Sequence, residues 1–172
     1  TPNVDHIMKL QNDHEFYQCY EQADHVVCDS RIMLLLSRFL NPQAPLNAQI
    51  AGSDLLPAFC SYHCGNLDRF RFFLLGGTER SVVQAMENLN SRTHSKIVVG
   101  AYSPPLGFEH DAAETQKIRD LVLQSGATAL AVGVGAPKQE KWIFKNRQNL
   151  PSISLFMAVG ATIDFEAGNI SR

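Results

Sequence analysis

"ATALAVGVGAPKQEKWI", residues 127–143, decides how the chain is organised. A continuous apolar run ends at Gly133 and Gly135, Pro137 follows, and Lys138, Gln139 and Glu140 lead into Trp142 and Ile143. An unbroken apolar run of this length fits a strand covered on both faces. Proline at the first helical position, followed by polar residues, opens a helix over 137–149. Strand, glycine turn and helix in that order form one half of a βαβ unit.

The same alternation repeats on either side. Further strand candidates are "DHVVCD" (24–29), "RFRFFLLGG" (69–77), "SKIVVGAY" (95–102) and "SISLFMAVGA" (152–161). Helices are expected over 31–40, over 52–64 with Ser53 as cap, over 78–92 with Thr78 as cap, and over 111–124 with Asp111 as cap. Pro57 must lie in the first turn of its helix or kink it. Strands alternating with helices predict an α/β fold, a Rossmann-like three-layer sandwich with a mainly parallel sheet. A chain of 172 residues suits a single domain, 1–172. A net charge of -2 lacks the basic excess typical of nucleic-acid binding. No apolar run is long enough to cross a bilayer. The chain begins at Thr1 rather than Met and stops in "GNISR" without a cap, so both ends read as cuts.

Four cysteines, Cys19, Cys28, Cys60 and Cys64, do not form a disulfide framework for a chain this long. Cys60 and Cys64 lie one helical turn apart around His63, but no second ligand pair matches them. The expectation is reduced, partly buried thiols and no metal.

In parallel α/β sheets ligands bind outside the carboxyl ends of the strands. Those ends carry Asp29, then Gly76 and Gly77, then Gly133 to Gln139, then Gly160 to Asp164. Glycines admit a ligand close to the backbone, and helix N-termini favour anions. Taken one at a time, the same glycines serve tight strand-to-helix turns. "GVGAPK" (133–138) has Lys138 where a dinucleotide fingerprint has its third glycine, and no acid ends the next strand, so NAD or FAD is weakly supported. Lys138 suits a diphosphate, Gln139 suits sugar hydroxyls, and Asp164 suits ribose or a nucleobase N–H. Asp29 is either a general base or the cap of the helix over 31–40, and Lys138, Glu140 and Lys141 are alternatively a solvated helix face.

Six blocks in register, "TPNVDHI" (1–7), "ADHVVCDS" (23–30), "AGSDLL" (51–56), "FFLLGG" (72–77), "VGVGAPKQEKWI" (132–143) and "AVGATIDFEAG" (158–168), carry a specific likeness. With them the chain resembles the WecG/TagA/CpsF family of bacterial glycosyltransferases. The resemblance implies inverting, metal-independent transfer of a hexose or N-acetylhexosamine, of the N-acetylmannosamine type, from a UDP-sugar to a lipid-linked glycan acceptor. Family members serve teichoic acid, common-antigen or exopolysaccharide synthesis. By the resemblance Asp29 is the base, while Thr1, Asn3, Gln49, Gly52, Ser53, Asp54, Gln139 and Asp164 line the substrate pocket with the glycine turns and Lys138. No separate cofactor is implied, and a homo-oligomer is compatible.

The sequence departs from the family pattern in three places. Ser30 replaces the usual glycine after the base, and Gln49 stands before the Gly-Ser-Asp block where Arg is common. The family also carries a C-terminal appendage rich in Arg and aromatics that meets the inner face of the cytoplasmic membrane, and this chain is expected to lack it. Two other classes stay open: a different nucleotide-dependent α/β enzyme, and a non-catalytic sugar-nucleotide-binding domain.

Overall fold

The computed structural model describes residues 2–169. Among them four strands form one parallel sheet: β1 (Phe72–Gly76), β2 (Val98–Tyr102), β3 (Ala129–Gly133) and β4 (Leu155–Ala158), in the spatial order β2-β1-β3-β4. Phe72 stands opposite both Val98 and Ala129, and Ala129 opposite Leu155. Successive strand residues point to opposite faces, and both faces are covered, which is why the strands are continuously apolar. On one face Phe72, Leu74, Ala129 and Ala131 pack under α4 (Gly52–His63), α5 (Glu79–Thr93) and α8 (Thr162–Glu166) through Leu56, Leu89 and Ile163. On the other, Phe73, Leu75, Leu130 and Val132 pack under α6 (Ala112–Gln124) and α7 (Lys138–Asn146) through Ile118, Val122 and Trp142. The expected sandwich is present.

Caps written in the sequence form where their partners are local. The Thr78 side chain accepts from the Ser81 amide, and that of Asp111 from the Ala113 and Glu114 amides. The helix over 52–64 differs. Its N-cap is Ala51, Ser53 lies inside it, and Pro57 falls within the helix beyond the first turn. The start is set by packing: Gly52, Leu56 and Cys60 make one buried face at spacing i, i+4, i+8. Pro137 is the N-cap of α7 rather than its first residue, and a 3₁₀ turn, Arg147–Asn149, follows the helix.

Residues 24–29 are not a strand of the sheet. They run without regular structure, and of the six only Cys28 is buried. A segment whose neighbours stay solvated has no place in a sheet covered on both sides. Single backbone bonds hold it instead: the Asp29 amide donates to the Pro2 carbonyl at 2.8 Å, and the Ile50 amide donates to the Cys28 carbonyl at 2.8 Å.

Three helices precede α4: α1 (Val4–Leu10), α2 (His14–Glu21) and α3 (Arg31–Leu40). Asn3 caps α1 in a reciprocal box with His6, and Asp13 caps α2. Helix α2 clamps onto α7 through charge, with Lys141 bridging Asp13 at 2.7 Å and Glu15 at 3.1 Å, and Lys145 bridging Glu15 at 2.7 Å.

Candidate active site at the carboxyl edge of the sheet

The chain leaves β1 for β2 on one side, then crosses back to β3 and β4 on the other. Helices α5 and α7, which follow β1 and β3, therefore lie on opposite faces, and the carboxyl edge between them is the switch point at which open α/β sheets take their ligands. Gly76, Gly77, Gly133, Gly135, Lys138 and Gln139 all stand there.

Two glycines at this edge are required by backbone contact. A Cβ on Gly76 would lie 2.3 Å from the Gly133 carbonyl oxygen, and Gly76 has φ +135. A Cβ on Gly133 would lie 2.6 Å from the Gly160 carbonyl oxygen. Three strand ends are thus pressed flush, and the tight-turn reading accounts for these two residues. At Gly135 an added Cβ would meet nothing within 4 Å, so that part of the turn borders open space.

Gln139 is only 2% exposed. Its carbonyl oxygen accepts from the Gly160 amide at 3.1 Å, and its amide nitrogen donates to Glu140 at 2.9 Å. It fastens the end of β3 to the end of β4, and so its polar atoms already have protein partners. Asp164 sits in the first turn of α8, its Oδ1 3.6 Å from the position of a Cβ on Gly77. Neither the Asp164 carboxylate nor the Lys138 ammonium has a hydrogen-bond or ion-pair partner among the described residues.

The N-terminal candidates form a second group beside this edge. Thr1 lies outside the described residues. Asn3 is engaged with His6: its side-chain oxygen accepts from the His6 amide at 3.2 Å, and its own amide donates to His6 Nδ1 at 3.1 Å. Asp29 is half-buried beside Pro2, and its carboxylate has no partner among the described residues. The capping role weighed for Asp29 belongs to Ser30, whose hydroxyl accepts from the Met33 amide at 3.3 Å. Serine after Asp29 therefore starts α3 and leaves the carboxylate unused. Gln49 accepts from Arg31 Nε at 3.2 Å, so a guanidinium stands next to the position where the sequence lacks one. Gly52, Ser53 and Asp54 form the first turn of α4, which packs against the helix carrying Asp164.

Helix α1 joins the two groups. Lys9 donates to the Ala136 carbonyl at 3.3 Å in the turn after β3. His6 Nε2 lies 4.0 Å from Glu140 Oε1, both side chains being nearly buried. Burial holds the His6 imidazole below the usual histidine range, with Glu140 pulling the other way. Sequence reasoning missed this junction. Along the sequence Glu140 and Lys141 fit a solvated helix face, but α1 and α2 cover them. The spacing Asn3-x-x-His6 was the one available signal of a capped helix there.

Away from this edge, His63 packs against the rings of Phe59 and Phe70, each at 4.4 Å between centroids. Cys60 is buried in the core, which pushes its thiol up to about 12. The four cysteines are free thiols. Among the described residues no three His, Cys, Asp or Glu side chains are grouped to hold a metal ion.

The model of the glycosyl transferase WecG/TagA/CpsF family matches residues 1–172, the whole chain. The chain belongs to that family. The reaction class of this WecG/TagA/CpsF-family protein is therefore glycosyl transfer, with a sugar donor and a glycan acceptor as its partners. Among the described residues of this glycosyl transferase no helix is long and apolar enough to cross a membrane.

Proposed function

We propose that the protein transfers a hexose or N-acetylhexosamine, of the N-acetylmannosamine type, from a UDP-sugar to a lipid-linked glycan acceptor in cell-surface polysaccharide synthesis. Transfer is inverting and needs no metal; the sequence has no Asp-x-Asp pair of the kind that holds a cation against a diphosphate. Asp29 takes the proton of the acceptor hydroxyl as that oxygen attacks the anomeric carbon, and the bond to UDP breaks on the opposite face. Lys138 and the open turn at Gly135 meet the charge growing on the departing diphosphate.

The observation that carries this reading is three charged side chains with no hydrogen-bond or ion-pair partner among the described residues: Lys138 and Asp164 at the carboxyl edge of the sheet, and Asp29 in the N-terminal group beside it. Charged groups partly withdrawn from water are normally paired, so unpaired ones around the switch point are available to a ligand.

The test has two arms. Calorimetry should register binding of UDP but not of NAD, unchanged by EDTA. Tight NAD binding without UDP binding would sink the donor assignment, and loss of UDP binding on chelation would sink metal independence. In the second arm, Asp29→Asn should slow transfer to a lipid-linked acceptor by about 100-fold or more, the usual scale for a positioned base, while UDP affinity stays the same. Near-normal turnover by Asp29→Asn would remove it from the base role.

A further inference from the structure

Helix α3 presents its apolar side to solvent. Ile32, Leu35, Leu36, Phe39 and Leu40 recur at the spacing of one helix face, and all five are exposed, Phe39 at 76% and Leu40 at 81%. The side toward the rest of the protein carries Met33, Leu34 and Ser37, each only half-buried, and no residue of the helix is fully buried. This inverts the usual arrangement, in which the apolar stripe faces the core. A contiguous patch of large apolar side chains on a surface marks an interaction site.

Charge identifies what covers it. The segment from Ser30 to Ser53 contains no Asp or Glu, although the whole chain has 17 of them. Its charged side chains are Arg31 and Arg38, seven residues apart and so on the same flank of the helix, at the border of the apolar face. Long basic side chains at such a border keep their heads in the polar zone while the apolar face inserts. A second copy of the same acid-free segment offers those arginines no countercharge. An anionic lipid surface does.

We propose that α3 is a membrane-contact helix that lies in the headgroup region of an anionic bilayer, with Ile32, Leu35, Leu36, Phe39 and Leu40 inserted and Arg31 and Arg38 on phosphates. Ser30, which caps this helix, directly follows Asp29. Contact through α3 therefore sets Asp29 close to headgroup level, where the sugar of a lipid-linked acceptor emerges; that last consequence rests on the proposed glycosyl transfer, whereas the surface itself does not.

The test is co-sedimentation of the 172-residue chain with vesicles, without nucleotide or acceptor. Vesicles of equal parts phosphatidylglycerol and phosphatidylcholine should pull the protein down, pure phosphatidylcholine much less, and added salt should release it. The double variant Leu36→Ser, Phe39→Ser should bind at least about tenfold more weakly. Because both positions are exposed, its circular dichroism and melting temperature should match the wild type. Arg31→Gln with Arg38→Gln should erase the preference for anionic vesicles. The proposal is overturned by no binding to anionic vesicles, by equal binding of the Leu36→Ser, Phe39→Ser variant, or by self-association in ultracentrifugation that this variant abolishes. The last outcome would assign the face to a second copy. UDP calorimetry on the same preparations separates this result from the donor assignment, since vesicle binding does not require a nucleotide.

Discussion

A methyl group on Gly76 would stand 2.3 Å from the Gly133 carbonyl oxygen, and the neighbour it strikes is backbone rather than a movable side chain. Its φ of +135 adds a second penalty for any other residue. Gly76→Ala should therefore destabilise the fold by about 2 kcal/mol or more, seen as a lower urea midpoint at unchanged slope. A loss under about 0.5 kcal/mol would mean that the strand ends can part. Gln139 is constrained from another direction. Both ends of its amide are bonded inside the protein, so it orders the two turns around the site, and contact with a sugar would require one of those bonds to exchange.

Among the helices, α5 illustrates how a strand end is tied to the helix that follows it. The Thr78 hydroxyl accepts from the Ser81 amide at 3.1 Å and meets the Ser81 hydroxyl at 2.7 Å, immediately after the glycines of β1. Beside it, Ser103 after β2 donates to the Gly77 carbonyl at 2.6 Å. Thr78→Ala should remove about 1 kcal/mol of stability, the usual worth of an N-cap, whereas Thr78→Ser should retain most of it. Equal losses in both variants, measured by thermal unfolding, would show that the methyl group rather than the hydroxyl matters.

For the molecule as a whole, apolar burial is unevenly distributed. The strands and α4 to α8 share two cores, while α1 and α3 have no buried residue and α2 has only Phe16. Ion pairs from Asp13 and Glu15 to Lys141 and Lys145 link α2 to α7. Exposed pairs of this kind are weak and are screened by salt. Residues 4–40 should exchange amide hydrogens well before β1 and β3 do, and faster still at high salt. Uniform protection across the chain would refute this division. Asn3 and Asp29 therefore belong to the less stable part, while Lys138 and Asp164 stand in the first turns of helices packed on the sheet.

Much of the sheet region is legible in the chain itself. Continuous apolar runs locate β1 to β4, Thr78 and Asp111 mark their helices, and glycines mark the strand ends, because each signal depends on residues a few positions apart. Family membership is likewise carried by short blocks such as Gly135 to Trp142. Other features depend on partners distant in sequence, and only the tertiary structure decides them. Residues 24–29 resemble a strand but lie beside Pro2 and Ile50, since nothing covers both of their faces. Glu140 looks solvated along its own helix and is buried by α1, more than a hundred residues upstream in the chain. Ser30 takes the cap that Asp29 might have taken, which leaves that carboxylate available. An apolar stripe shows that α3 is amphipathic, but which side meets the protein is settled by the segments packed around it, and here the apolar side is left outward.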